Sequence, residues 1–433
     1  MQKTIYTALI ILSIINIGWC IYRDIQIEKQ YTGDLRNRIV GARLQKDGIP
    51  PYFHKWEKGD GLRYYDPQNF DTLKVSNITA TPFLHQLFYP LADLPQRKIS
   101  KIWLGIEYLV LLAAVIIFFS FAKNNKQKIA IVLATALFLY TSAWTNSIAA
   151  GQIYLLIPFF ALLFYYCIVR KEKIIFAAFA GINAAILLLI RPTAIFFLLP
   201  FLFIIKQYNR KYLLFLFTSM IFIFILAFGS SHNRTYWLDY TGAIQEQLKS
   251  HQSTGAITQQ NEPDPGYQNW EGWDSKETAK EYSAFPYDYS KEHGNIFVLV
   301  NHAFQTKIPV WLLAITSVII MLVITFLFYK PDTQCGYNLY QVSIFAFCLY
   351  MVTDFFSPIH RFLYNGIQWL FPLLLIASGY NKKYLWIYAG ITTGLLLNSI
   401  SLSFISMENT LGEYIIFLFL LIFLFKYKPE PAV

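Results

Sequence analysis

Asp34 opens a stretch whose residue types can do chemistry. From Gly33 to Lys46, Leu35, Ile39 and Ala42 fall at i, i+4 and i+7, while Arg36, Arg38, Arg43 and Lys46 occupy the other faces. Gly48, Pro50 and Pro51 then stop the helix. The pattern predicts an amphipathic interfacial helix near residues 34–47, with its basic residues near anionic headgroups or phosphates. Asp34 at its start has two readings. One is an N-cap that accepts backbone N–H bonds, with Arg38 in range at i+4; the other is a general base at a membrane surface. They are compatible, because a capping position also fixes a carboxylate's direction. A second polar stretch sets Tyr267, Trp270, Trp273, Tyr282, Tyr287 and Tyr289 among Asp264, Glu271, Asp274 and Asp288. Aromatics beside carboxylates suit carbohydrate stacking and hydroxyl recognition, and they suit an interfacial aromatic belt as well. No carboxylate pair or His/Asp cluster shows ligand spacing, so no metal site is expected.

These residues need elements to position them, and the composition says which kind. The chain is 55% hydrophobic and 14% charged, well under the roughly 25% charged residues of a soluble domain. Apolar runs suited to a bilayer fall at 4–22, 102–122, 128–145, 152–169, 174–190, 193–206, 212–229, 308–329, 339–356, 362–379, 384–404 and 411–426. The first reads as an uncleaved helix, since no clear small-residue cleavage site follows it. The expected fold is an all-α polytopic membrane protein of about 12 transmembrane helices, forming one domain over residues 1–433.

Charge orients the bundle. With the N-terminus in the cytoplasm, Lys123, Lys126, Lys128, Arg170, Lys171, Lys206, Arg210, Lys211, Lys382 and Lys383 all fall inside, and so does the C-terminus. The net charge of +10 is then topogenic, and no nucleic-acid partner is expected. Two long loops, 23–101 and 230–307, fall together on the extracytoplasmic side and point to one site roofed by both. The four cysteines avoid the long polar loops, so no structural disulfide is expected.

Five segments carry a family resemblance. They are Asp34-Leu35-Arg36 through Leu44 with Gly48-Ile49-Pro50-Pro51-Tyr52; Thr81-Pro82-Phe83 with Tyr89 through Pro95; and Asn146 with Gly151-Gln152-Ile153-Tyr154. Ala180-Gly181-Ile182 through Arg191-Pro192 follows, and then Ser357-Pro358-Ile359-His360 with Trp369-Leu370-Phe371-Pro372. In order and spacing, over roughly residues 30–375, they resemble glycosyltransferase family 87, of the GT-C class of polytopic, polyprenyl-phosphate-sugar-dependent enzymes of α-mannosyltransferase type. The chain departs from the family pattern at Arg191, where lysine is typical, and at Arg361, which follows a single His360.

The resemblance implies a GT-C-like bundle and sugar transfer, with inversion, from a polyprenyl-phosphate donor to an acceptor hydroxyl on a glycolipid, glycan or protein. It assigns Asp34 as general base, with Asp24 and Glu28 as nearby alternates that match no family motif. Negative charge grows on the leaving phosphate, so cations there lower the barrier. Arg191, His360 and Arg361 are the expected phosphate-binding residues, and Arg191 can equally be a snorkelling side chain at a helix end. Gln152, Trp270 and Trp273 are the expected substrate contacts, Gln152 being as well suited to an interhelical hydrogen bond. No cofactor is expected, the lipid-linked sugar being a substrate. The expected location is the plasma (inner) membrane, with membrane lipids as partners. The competing readings are a transporter or flippase of lipid-linked sugars, which normally carries charge at midspan, and an oligosaccharide polymerase or ligase.

Overall fold

The computed structural model describes residues 2–29, 32–67, 74–171, 173–251, 271–272, 295–304, 306, 308–329, 339–358, 361–399 and 408–426, and these are all helix, turn and loop. In chain order the first helices are α1 (Gln2–Glu28), α2 (Gly33–Lys46), α3 (Pro82–Phe88), α4 (Gln96–Phe121), α5 (Asn125–Phe138) and α6 (Ser142–Ala150). Then come α7 (Leu156–Val169), α8 (Ile174–Ile190), α9 (Ile195–Leu198), α10 (Arg210–Phe228) and α11 (Ser231–His251). The last are α12 (Ile296–Phe304), α13 (Val310–Phe328), α14 (Leu339–Phe355), α15 (Leu370–Ser378), α16 (Leu385–Ser399) and α17 (Glu408–Lys426).

Among the described residues, five helices are long and apolar enough to cross a membrane: Thr7–Glu28 within α1, then α4, α10, α13 and α17. A sixth crossing results if α5 and α6 count as one bent span. Their outward faces carry exposed Leu12, Ile14, Ile15, Phe222, Ile225, Leu322 and Phe326, the surface lipid requires and water does not tolerate in such quantity. Shorter apolar helices fill the interior: α7, α8, α14 and the Leu363–Ser378 segment. Close backbone approach holds pairs of helices together. A Cβ on Gly181 of α8 would stand 2.1 Å from the Leu216 carbonyl of α10, and one on Gly394 of α16 would stand 2.6 Å from the Gly412 carbonyl of α17.

Two predicted spans are broken. The 128–145 run bends by 61° between α5 and α6, because Thr141 starts a new helix by accepting the Trp144 N–H at 3.3 Å. The 193–206 run breaks into α9 and three short 3-10 turns, since Pro192 and Pro200 each remove a backbone donor. The first polar segment is also shorter than predicted, as α1 runs on to Glu28 and α4 begins at Gln96. Within it, α2 forms where the spacing placed it but does not lie open at an interface. Leu35 through Gln45 are all buried, and α3, α4 and α6 pack against the helix.

Candidate active site

The site begins at a glycine. α6 ends with Gly151 at φ 66°, and the N–H groups of Gly151 and Gln152 return to the carbonyls of Ile148 and Ser147 at 3.1 and 3.0 Å. A Cβ at position 151 would stand 2.6 Å from Leu35 Cβ, so the close approach of α2 and the left-handed backbone both demand glycine. The turn delivers the buried Gln152 to the first turn of α2. Its Nε2 donates to the Asp34 carboxylate, and its Oε1 accepts from Arg38 Nη2 at 2.6 Å.

Asp34 is not the N-cap of α2. Thr32 holds that position, without a side-chain cap bond, and the Asp34 carboxylate turns instead to Gln152 and the Tyr364 hydroxyl. Asp34 remains partly exposed. The protein packed around its carboxylate is still the dominant influence and raises its pKa above 3.8, with Arg38, Gln152 and Tyr364 pulling the other way. The interposed amide matters here. A direct arginine pair typically lowers a carboxylate by about 1–3 units, and a neutral donor spares basicity that such a pair would remove.

A chain of contacts runs on from Asp34. The Tyr364 ring stacks on Tyr154 at 5.7 Å, and the Tyr154 hydroxyl accepts from Arg191 Nη1 at 3.1 Å. Arg191 caps the end of α8, where Pro192 prevents continuation. Its Nη2 pairs with Asp354 Oδ1 at 2.7 Å. Asp354 Oδ2 in turn accepts from Arg361 Nε at 2.9 Å and from Gln368 Nε2 at 3.3 Å. Arg361 also pairs with Glu413 and donates to the Asn365 carbonyl at 3.2 Å. The side chain of Arg191 is 26% exposed and that of Arg361 is 1%. Arg191 is thus the cation with reach, and Arg361 stands one carboxylate behind it.

The other expected residues fall elsewhere. Asp24 is fully buried and held by Arg23 at 2.7 Å and by the Tyr108 hydroxyl and Trp144 Nε1, each at 2.6 Å. Glu28 faces Arg97 at 3.8 Å. Neither joins the Asp34–Gln152 pair. Trp270, Trp273 and His360 lie outside the described residues. The sequence reading passed over Arg38, Tyr154, Tyr364, Asp354 and Glu413 as site residues. One signal was available: Asp354 is the sole acid in the 339–356 apolar run, and an acid in such a run demands a partner.

The two polar segments meet beside this site. Gln247 Nε2 of α11 donates to the Ser76 carbonyl at 2.9 Å, and Gln86 Nε2 of α3 to Asn233 Oδ1 at 3.0 Å. Glu271 pairs with Arg36 at 2.7 Å and with Arg43 at 2.6 Å. Arg36 Nε also donates to the Tyr65 carbonyl and Arg43 Nε to that of Ala92, each at 2.7 Å. Expected near headgroups, these two arginines are instead fully buried, because backbone carbonyls and one carboxylate consume their donors. Burial alone would raise Glu271, but Arg36 and Arg43 outweigh it and hold the carboxyl below 4.5.

Among the described residues, no group of three or more His, Cys, Asp or Glu side chains is placed to hold a metal ion. Comparison with curated proteins and with solved structures gave no match. The family model of glycosyltransferase family 87 matches residues 79–353. That span contains Gln152, Tyr154 and Arg191, while Asp34 precedes it and Arg361 follows it. Since the match covers more than half of the 433 residues, the chain belongs to glycosyltransferase family 87.

Proposed function

We propose that this membrane glycosyltransferase moves a hexose such as mannose, or a pentose, from a polyprenyl-phosphate donor to an acceptor hydroxyl, with inversion. The acceptor is a glycolipid, a glycan or a protein, and the reaction takes place at the extracytoplasmic face of the plasma membrane. In this reading the short interior helices complete a GT-C-like bundle of about twelve crossings, with both termini in the cytoplasm.

One observation carries the proposal: a partly exposed aspartate, held by Gln152, is joined through Tyr364 and Tyr154 to a partly exposed arginine. Asp34 accepts the proton of the acceptor hydroxyl as its oxygen attacks the sugar's anomeric carbon. The bond from that carbon to the phosphate oxygen breaks, and polyprenyl phosphate leaves with the electron pair. Arg191 stabilises the charge that grows on the phosphate, more strongly where water is scarce. Asp354, held from behind by Arg361, aims Arg191. A lipid donor suits the setting, since its tail stays in the bilayer while its head reaches the site.

The test is transfer by purified protein in nanodiscs, offered mannosyl and pentosyl polyprenyl phosphates with glycolipid, glycan and peptide acceptors. Product anomers are assigned by NMR. Transfer with inverted configuration is expected. Absence of transfer across the whole panel, with donor crossing the bilayer of proteoliposomes, would overturn the reading in favour of a flippase.

A further inference from the structure

A cavity of about 740 Å³ opens between α4, α7, α14 and α15, and its lining includes none of Asp34, Gln152, Tyr154, Tyr364, Arg191 and Asp354. Three helices span from one site to the other. α7 lines the cavity from Pro158 to Val169, and Gln152 precedes it; α14 lines it from Tyr340 to Phe347 and carries Asp354 near its far end; α15 lines it from Phe371 to Ser378 and follows Tyr364. The deep walls are apolar, with Phe118, Leu162, Phe347 and Phe371. Lys123 in the α4–α5 connection, Lys126 in the first turn of α5 and Lys382 just before α16 also line the cavity. No Asp or Glu lines it among the described residues. Its size is that of a small-molecule site.

An apolar chamber with lysines at one end is the complement of an amphiphile with an acyl tail and an anionic head. The lysines are exposed, and the charge pattern assigns them to the cytoplasmic side of the bundle, so a phosphate there keeps contact with water and cations together. Among the described lining residues no acid offsets the three lysines, and a phosphate would; a zwitterionic head would bring its own ammonium against them. We infer that this cavity binds one anionic glycerophospholipid from the leaflet remote from the reaction, headgroup at Lys123, Lys126 and Lys382 and one acyl chain between α4, α7, α14 and α15. The site is independent of the proposed donor and acceptor, and its test needs no turnover.

The test is native mass spectrometry of the delipidated full chain, titrated with phosphatidylglycerol, phosphatidylcholine of the same acyl chains, and a polyprenyl phosphate. Phosphatidylglycerol should bind about tenfold or more tightly than phosphatidylcholine. The Lys123→Gln/Lys126→Gln/Lys382→Gln variant should lose that preference. Lys171→Gln/Lys206→Gln/Lys211→Gln, which removes equal charge elsewhere, should keep it. Leu162→Trp, which fills the apolar chamber and spares the lysines, should lose the bound lipid while unfolding at a temperature near wild type. Equal binding of the two phospholipids, an unaffected lysine variant, or preferential uptake of the polyprenyl phosphate would each overturn the assignment.

Discussion

Two carboxylates in this protein each hold a pair of arginines, and the pairs have opposite fates. Glu271 holds Arg36 and Arg43, both fully enclosed, with their remaining donors given to backbone carbonyls of the first polar segment. Burial and the neighbouring Arg36 bring Arg43 down to about 10 against the pull of Glu271, the mark of charge confined in a crowded interior. Asp354 holds Arg191 and Arg361. There only Arg361 is enclosed, while Arg191 keeps a quarter of its side chain in the open. Closing both arms makes a clamp between polar segments. Leaving one arm partly open makes the cation that, in the proposed reaction, meets the donor's phosphate.

That contrast is breakable from either side. Glu271→Ala strands two buried guanidinium groups, and such a loss typically costs about 3–5 kcal/mol. Thermal unfolding should fall sharply, with turnover per folded molecule nearly kept. A large fall in turnover at unchanged stability would make Glu271 part of the chemistry. Arg191→Ala should do the reverse. Turnover should drop by about 10²–10³ with a smaller fall in unfolding temperature than Glu271→Ala gives, because Arg361 stays on Asp354 although it also serves Glu413; unchanged turnover would remove Arg191 from the phosphate.

Smaller effects probe the amide between Asp34 and Arg38. Gln152→Ala removes a hydrogen bond that pulls the Asp34 pKa down, so the pKa should rise. The acid limb of the kcat/KM profile should move to higher pH. A limb that stays in place would show that Gln152 does not tune the base. The base must be deprotonated, and burial raises its pKa, so activity should be lost on acidification from above pH 3.8, the ordinary aspartate value. Full activity persisting below it would contradict the assignment.

The long apolar helices were legible because hydropathy is a local property. α2 was legible too, by its spacing, but its burial was not. Arginines that bond Tyr65, Ala92 and Leu94 carbonyls look in sequence like arginines that bond lipid phosphates. The breaks at Pro192 and Pro200 were visible residues whose effect was underweighted within an apolar run. Asp34, Gln152 and Arg191 could be named separately from the sequence. Their connection could not be derived there, because the Asp34–Gln152 bond spans 118 positions and no local pattern encodes it. Tyr364 and Glu413 were passed over for the same reason, since each matters only through a partner distant in the chain.

The central claim is that Asp34 takes the acceptor's proton. The most direct measurement is the single-turnover transfer rate of Asp34→Asn against wild type, at saturating donor and matched folded protein. The account predicts a loss of about 10²–10⁴, with donor binding retained through Arg191. A rate within a few-fold of wild type would contradict it.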